Sequence, residues 1–220
     1  MQYTLVRSNR KTIALLVDRQ GRLTVRAPRA LSAAQIEAFV LEKRAWVEKT
    51  LAKLATLPPP VQPLTLCDGA TLPYLGQTLT ILRCDVPRVN LRGDVLLVPQ
   101  SAVDLQPILR WLDAQARTEL SARAKQMAAR LSLYPSTLRF THAKGRWGSM
   151  SGRGTLSLNQ ALLFCPPAVI EYVLVHELCH IPHPNHSPAF WQLVGRCMPE
   201  YQAHRQWLKT HASLISFLPV

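Results

Sequence analysis

Residues Tyr172–Trp191 read YVLVHELCHIPHPNHSPAFW, and His176-Glu177-Leu178-Cys179-His180 within them form an HExxH pattern. On an α-helix, residues four apart share a face and lie about 6 Å from each other. His176 and His180 can therefore each aim an imidazole nitrogen at one cation, at roughly 2.0–2.1 Å if that cation is zinc. Glu177 is turned about 100° around the helix. That offset puts its carboxylate beside the metal, where it can take a proton from a metal-bound water. Pro182 predicts a helix end, because it has no N–H and clashes with the preceding turn. Pro184 and Asn185 suit a tight turn that swings His186 back toward the same metal. HExxH alone arises by chance in many helices; with a helix stop and a third histidine it is far more specific.

Two residues compete with His186 for the third position. His183 lies one turn beyond His180, but Pro182 breaks the helix that would keep it on the metal face. Glu200 lies twenty residues after His180, a separation at which some zinc enzymes place a glutamate ligand. It follows Pro199, however, in an expected first helical turn, where a carboxylate is favoured by the helix dipole alone. Cys179 is expected to pack, since a fourth protein ligand would close the open position that catalysis needs. His142, His204 and His211 sit on polar or strand-like stretches and are not expected to be ligands.

The 220-residue chain is 48% hydrophobic and 18% charged, enough apolar content for a core and too little charge for wholesale disorder. No run approaches the roughly 18 apolar residues of a membrane span, and the N-terminus shows no signal-peptide pattern. Its five scattered cysteines, without a CxxC, fit a reducing cytoplasm better than a disulfide framework. Net charge is +13, with 10 Lys/Arg against 4 Asp/Glu in residues 1–50 and 8 against 3 in residues 101–150. Such an excess attracts polyanions, which makes weak non-specific nucleic-acid binding one expectation and a plain solubilising surface the other.

Residues 2–8, 12–18 and 22–27 read as strands, with a turn at Asp18-Arg19-Gln20-Gly21. Ser32 reads as the N-cap of one helix over 33–56. Pro58-Pro59-Pro60 is the clearest linker. Strand-type segments near 64–66, 72–75, 78–84, 88–91 and 94–98 are expected to extend the first three strands into one antiparallel sheet. A long amphipathic helix follows over about 104–131. Residues 137–142 and 155–158 read as a hairpin joined by a glycine-rich turn. Pro166-Pro167 open the HExxH helix, whose apolar surround predicts burial. Further helices begin near Ser187-Pro188 and at Pro199.

The chain resembles the YgjP-like metallopeptidase family, which is related to the SprT-like and WLM zinc proteases. The resemblance rests on YTLVRSNRKTIALLVDRQGRLTVRAP at the start, on the WGS segment with SLN after it, on HELCHIPHPNHSPAFW, and on the closing MPEYQAHRQWL. It implies a zinc site on His176, His180 and His186 with Glu177 as general base. Two positions depart from the family's habit: Met150 stands where a Cys usually follows Trp-Gly-Ser, and Gly145 where a Thr usually precedes Arg-Trp. The expected fold is therefore α+β. An antiparallel β-rich region with a helix and hairpins occupies residues 1–100. A zincin-like metallopeptidase domain occupies 101–220, with its HExxH helix packed on a small sheet.

The function expected is a cytoplasmic zinc metallopeptidase acting on peptide or protein substrates. Residues 146–150 are candidates for an edge strand that pairs with an extended peptide. Arg146, Trp147 and Ser149 are candidate substrate contacts, with Arg146 or Ser149 supporting an oxyanion. Two alternatives stand beside it. One is a metal-dependent phosphohydrolase of nucleoside triphosphates, against which counts the lack of a P-loop. The other is a nucleic-acid-associated zinc module, which would have no need of Glu177 as a base.

Overall fold

The computed structural model describes residues 2–18, 20–56 and 64–218, so Arg19 of the expected first turn and the Pro58–Pro60 linker lie outside the described residues. The chain divides into two compact units, 1–60 and 61–220. This differs from the division expected at 100/101, because the strands between 71 and 99 share a core with the HExxH helix.

In the first unit, strands β1 (Thr4–Ser8), β2 (Ala14–Val17) and β3 (Leu23–Pro28) form a sheet in the order β1-β3-β2. The expected all-antiparallel arrangement is corrected: β2 runs antiparallel to β3, but β1 runs parallel to it. The central strand β3 alternates, burying Leu23, Val25 and Ala27 on one face. The expected single helix is two, α1 (Ala33–Glu42) and α2 (Arg44–Ala55), separated at Lys43. Ser32 caps α1 as its sequence predicts. The Ser32 hydroxyl accepts from the Gln35 N–H at 3.2 Å, and the Gln35 side chain accepts from the Ser32 N–H at 3.0 Å, a capping box. Ile36 and Val40 of α1 complete this unit's small core with Val25 and Ala27.

Among the described residues the second unit holds two sheets of its own, where strands extending the first sheet were expected. Strands β4 (Thr71–Tyr74), β5 (Gln77–Cys84), β6 (Asn90–Arg92) and β7 (Val95–Pro99) are ordered β4-β5-β7-β6, with β5 and β7 parallel. Residues 64–66, expected as strand, are not. The β4–β5 turn holds Leu75 and Gly76 at φ 49° and 83°, the doubly left-handed turn that suits the twist of a tight hairpin. The long helix appears as α3 (Gln106–Gln115), a π-helical turn at Ala116–Leu120 and α4 (Ser121–Leu131). Strands β8 (Thr137–Thr141), β9 (Gly148–Met150) and β10 (Thr155–Asn159) follow. The expected hairpin of 137–142 with 155–158 is corrected here as well: β8 and β10 run parallel, and the antiparallel partner of β10 is the short β9. β9 is thus one edge of that sheet, and β8 the other.

Helices α5 (Pro167–Cys179), α6 (Pro188–Cys197) and α7 (Tyr201–Thr210) complete the unit. Val169, Ile170, Val173, Leu174, Val175 and Leu178 are all buried, so α5 is covered around its circumference, as an apolar helix must be. α6, α7 and β9 all pack against α5. Among the described residues no helix is long and apolar enough to cross a membrane.

Candidate active site

Ending α5 creates the site. His176 lies in its last turn and His180 is its C-cap residue. The chain then turns through Pro182, and the His183 N–H closes on the Cys179 carbonyl at 3.2 Å. Ser187 caps the next helix, its hydroxyl accepting from the Phe190 N–H at 3.3 Å. His186, just ahead of that cap, is carried back over α5. One nitrogen each from His176, His180 and His186 lies within 4.8 Å of the other two. The Nε2 atoms of His176 and His186 are only 3.0 Å apart.

The competing ligands fall elsewhere. His183 contributes its backbone: its carbonyl oxygen is 3.0 Å from His180 Nδ1, which fixes the His180 ring and leaves Nε2 for a cation. The Glu200 carboxylate lies 3.9 Å from His204 Nε2, outside the imidazole cluster. Cys179 is buried beside Cys197 and belongs to the core.

These three imidazoles fit a soft-to-borderline divalent cation. A ligand must present a lone pair, so it must be neutral. Burial, then the neighbouring His180 and His186, push the His176 imidazolium down to about 3. Burial and His180 lower His186 too. An all-imidazole set suits zinc and its first-row neighbours, not the oxygen-seeking calcium or magnesium.

Aromatic rings wall the cluster. Phe190 stacks on the His180 ring at 4.5 Å and meets His176 and His186 edge-on. Trp191 stacks on His186 at 5.5 Å, and Tyr201 of α7 stacks on Trp191 at 5.5 Å. Arg205 sits over the Trp191 ring, its guanidinium carbon 4.5 Å from the centroid.

Glu177 is only 7% exposed. Burial pushes its carboxyl up to about 7, opposed by a hydrogen bond from the Met150 backbone and by the charge of Arg146. The carboxylate lies against β9 because residue 148 has no side chain. A Cβ there would stand 3.0 Å from both Glu177 Cγ and Oε1. Gly148 and Met150 thus face Glu177, and the strand's alternation turns the Ser149 side chain to the opposite face. Trp147 is partly buried against the core. The Arg146 side chain is exposed.

The segment carrying Arg146 and Trp147 is held by Asn159. The Asn159 side-chain amide donates to the Ala143 carbonyl at 2.7 Å and to the Arg146 carbonyl at 2.8 Å. Its backbone N–H donates to Trp147 at 2.8 Å. Asn159, Phe190, Trp191 and Arg205 lie in the stretches that carry the family resemblance but receive no role at the site from the sequence, and Gly148 enters only through the candidate strand 146–150. Only the closeness of HPNHSPAFW to the motif pointed to the two aromatics.

The fold thus brings together a buried HExxH helix, a third imidazole returned over it and a short edge strand beside Glu177. The chain belongs to the YgjP-like family, whose metallopeptidase domain matches residues 11–211. Membership makes it a hydrolase that depends on a metal ion, and favours the peptidase over the phosphohydrolase alternative. No curated protein sequence matches it significantly. Among solved structures it is similar to the metallopeptidase zymogen abylysin of Pyrococcus abyssi, at 24% identity over 41% of this chain and 92% of that one, with a TM-score of 0.38. The zymogen jannalysin of Methanocaldococcus jannaschii is similar at 18% identity over 41% and 93%, with a TM-score of 0.37.

Proposed function

We propose that this metallopeptidase uses zinc held by His176, His180 and His186, with Glu177 as its general base. The observation that carries the proposal is the convergence of three imidazole nitrogens within 4.8 Å, with the buried Glu177 next to the first of them in sequence. Zinc in such a site supplies Lewis acidity to a scissile carbonyl and makes a water acidic enough to lose a proton near neutral pH. Glu177 takes that proton and returns it to the departing amine. A general base works best with a pKa near the operating pH; burial alone raises this carboxyl to about 7, and the charge of a bound cation would draw it down again. The Met150 N–H and the wall at Gly148 hold the carboxylate in place.

Peptides or proteins are the substrates, pairing with the free edge of β9. Arg146, Trp147 and Ser149 lie on or just before that strand, and Arg146 contributes positive charge near Glu177. The five cysteines are all unpaired, which supports a cytoplasmic location. The exposed basic residues of the chain support weak nucleic-acid binding without sequence preference.

The decisive experiment is peptide hydrolysis by zinc-loaded wild-type and Glu177→Gln proteins, with zinc content measured on both. The variant keeps its zinc and loses about 10²–10⁴-fold in turnover. Wild-type turnover in a zinc-loaded Glu177→Gln protein would sink the mechanism.

A further inference from the structure

Two guanidinium groups flank the imidazole cluster, and among the described residues neither forms a salt bridge. Arg205 rises from α7 and sits over Trp191 at 4.5 Å; the same ring stacks on His186 at 5.5 Å and lies 5.8 Å from His176. Arg146 stands on the segment leading into β9, on the Glu177 side. Both side chains are exposed. Among the described residues, no salt bridge or side-chain hydrogen bond engages either one. Arg22, Arg44, Arg117 and Arg123, by contrast, each face a carboxylate four residues away.

The acids that could neutralise these cations are committed elsewhere. Glu177 is enclosed between α5 and β9, and Glu200 faces His204. The charge of Arg205 reaches the cluster, helping to lower both His176 and His186, and that of Arg146 lowers Glu177. A guanidinium resting on an aromatic face is oriented while its N–H edges stay free, and those edges match a carboxylate with two parallel hydrogen bonds.

We infer that the site selects peptides carrying a carboxylate next to the bond to be cut, with Arg205 receiving that carboxylate and Arg146 adding positive charge from the other side. The inference rests on the peptidase reading above. The carboxylate can belong to an Asp or Glu side chain or to a free C-terminus; both present the same group to Arg205.

The test uses zinc-loaded full-length protein carrying Glu177→Gln, so that binding is read without turnover. Fluorescent peptides of one neutral sequence carry a Glu or a Gln scanned along the chain, each with a free or an amidated C-terminus. Anisotropy gives the affinities. The expected result is about tenfold tighter binding of the carboxylate-bearing member of a pair, the scale of a charge-assisted hydrogen bond. That preference should shrink as salt rises from about 50 to 500 mM. A preference among amidated peptides identifies a side-chain acid, and one confined to free termini identifies the C-terminus; either supports the inference.

Arg205→Gln should bring the ratio close to one, and Arg205→Lys should keep part of it. Zinc content and Tm are measured on each variant. If Arg205→Gln does not fold, the carboxylate ratio of Arg205→Lys against that of the parent decides. A parent protein with no preference, or a preference that survives the loss of Arg205, overturns the inference. Wild-type protein that binds with this preference but cleaves none of the peptides would instead refute the peptidase reading and leave the role of Arg205 standing. Cleavage without preference would do the reverse.

Discussion

Replacing Gly148 by alanine adds one methyl group where the general base lies. Its Cβ would stand 3.0 Å from Glu177 Cγ, 3.0 Å from Oε1 and 3.2 Å from Cδ. Carbon atoms pack best at about 3.5–4.0 Å, so the Glu177 side chain must retreat by roughly 0.5 Å. Little room exists for that movement, because Glu177 is 7% exposed and α5 is covered on all sides. A misplacement of this size in a proton-transferring group costs about 10–100-fold in kcat, while overpacking one methylene costs about 1–3 kcal/mol of stability. The zinc should stay, since the contacts of the new methyl group are with Glu177 and not with the three histidines. The assay is kcat on a peptide substrate with zinc content determined in parallel, completed as a double-mutant cycle with Glu177→Gln. If Gly148 matters only through the base it makes room for, Gly148→Ala has no further effect once Glu177 is glutamine. A full additional loss in the Glu177→Gln background, or wild-type kcat in Gly148→Ala alone, would refute the reasoning.

Three other outcomes are expected. Metal analysis should find zinc lost from His186→Ala and retained by Glu200→Ala and His183→Ala, because His183 supports the site only through its backbone carbonyl. Asn159→Ala removes the donors to two carbonyls and the acceptor for the Ala161 N–H; calorimetry should show a loss of about 2 kcal/mol that Asn159→Asp, lacking those donors, does not rescue. Titration of labelled DNA at about 50 and 200 mM salt should show binding that falls steeply and linearly on a log–log plot, and a flat response would remove nucleic acid from the partners.

What the sequence made legible was whatever depends on neighbours along the chain. The HExxH spacing, the stop at Pro182, the cap at Ser187 and the all-round apolar surface of α5 are local facts, and they suffice to place three histidines and a glutamate. Partner choice between strands is not local. Thr137–Thr141 and Thr155–Asn159 alternate in the same way whichever direction they pair, and the three-residue β9 that takes the antiparallel place is too short to show a pattern. The break at Lys43 carries neither Gly nor Pro to mark it, and the π-helical turn at 116–120 leaves the apolar stripe of its helix nearly intact. Gly148 looks like turn chemistry in sequence, yet its φ is not left-handed; it is glycine because a side chain from a different element fills the space. Arg205 lies within MPEYQAHRQWL, but nothing local marks its place, since only the packing of α7 on α5 carries it to the imidazole cluster.

The way Asn159 grips the segment before β9 has a consequence for how this peptidase can diversify. Both ends of that segment are pinned, at Ala143 and at Arg146 and Trp147. Lys144 and Gly145 between them are exposed, and a Cβ on Gly145 would touch nothing within 4 Å. The first side-chain atom of a threonine at that position would therefore meet no neighbour. The tip can therefore drift in sequence at little cost to the register of β9 or the seat of Glu177, leaving the rim of the cleft open to adaptation while the chemistry beneath it stays put.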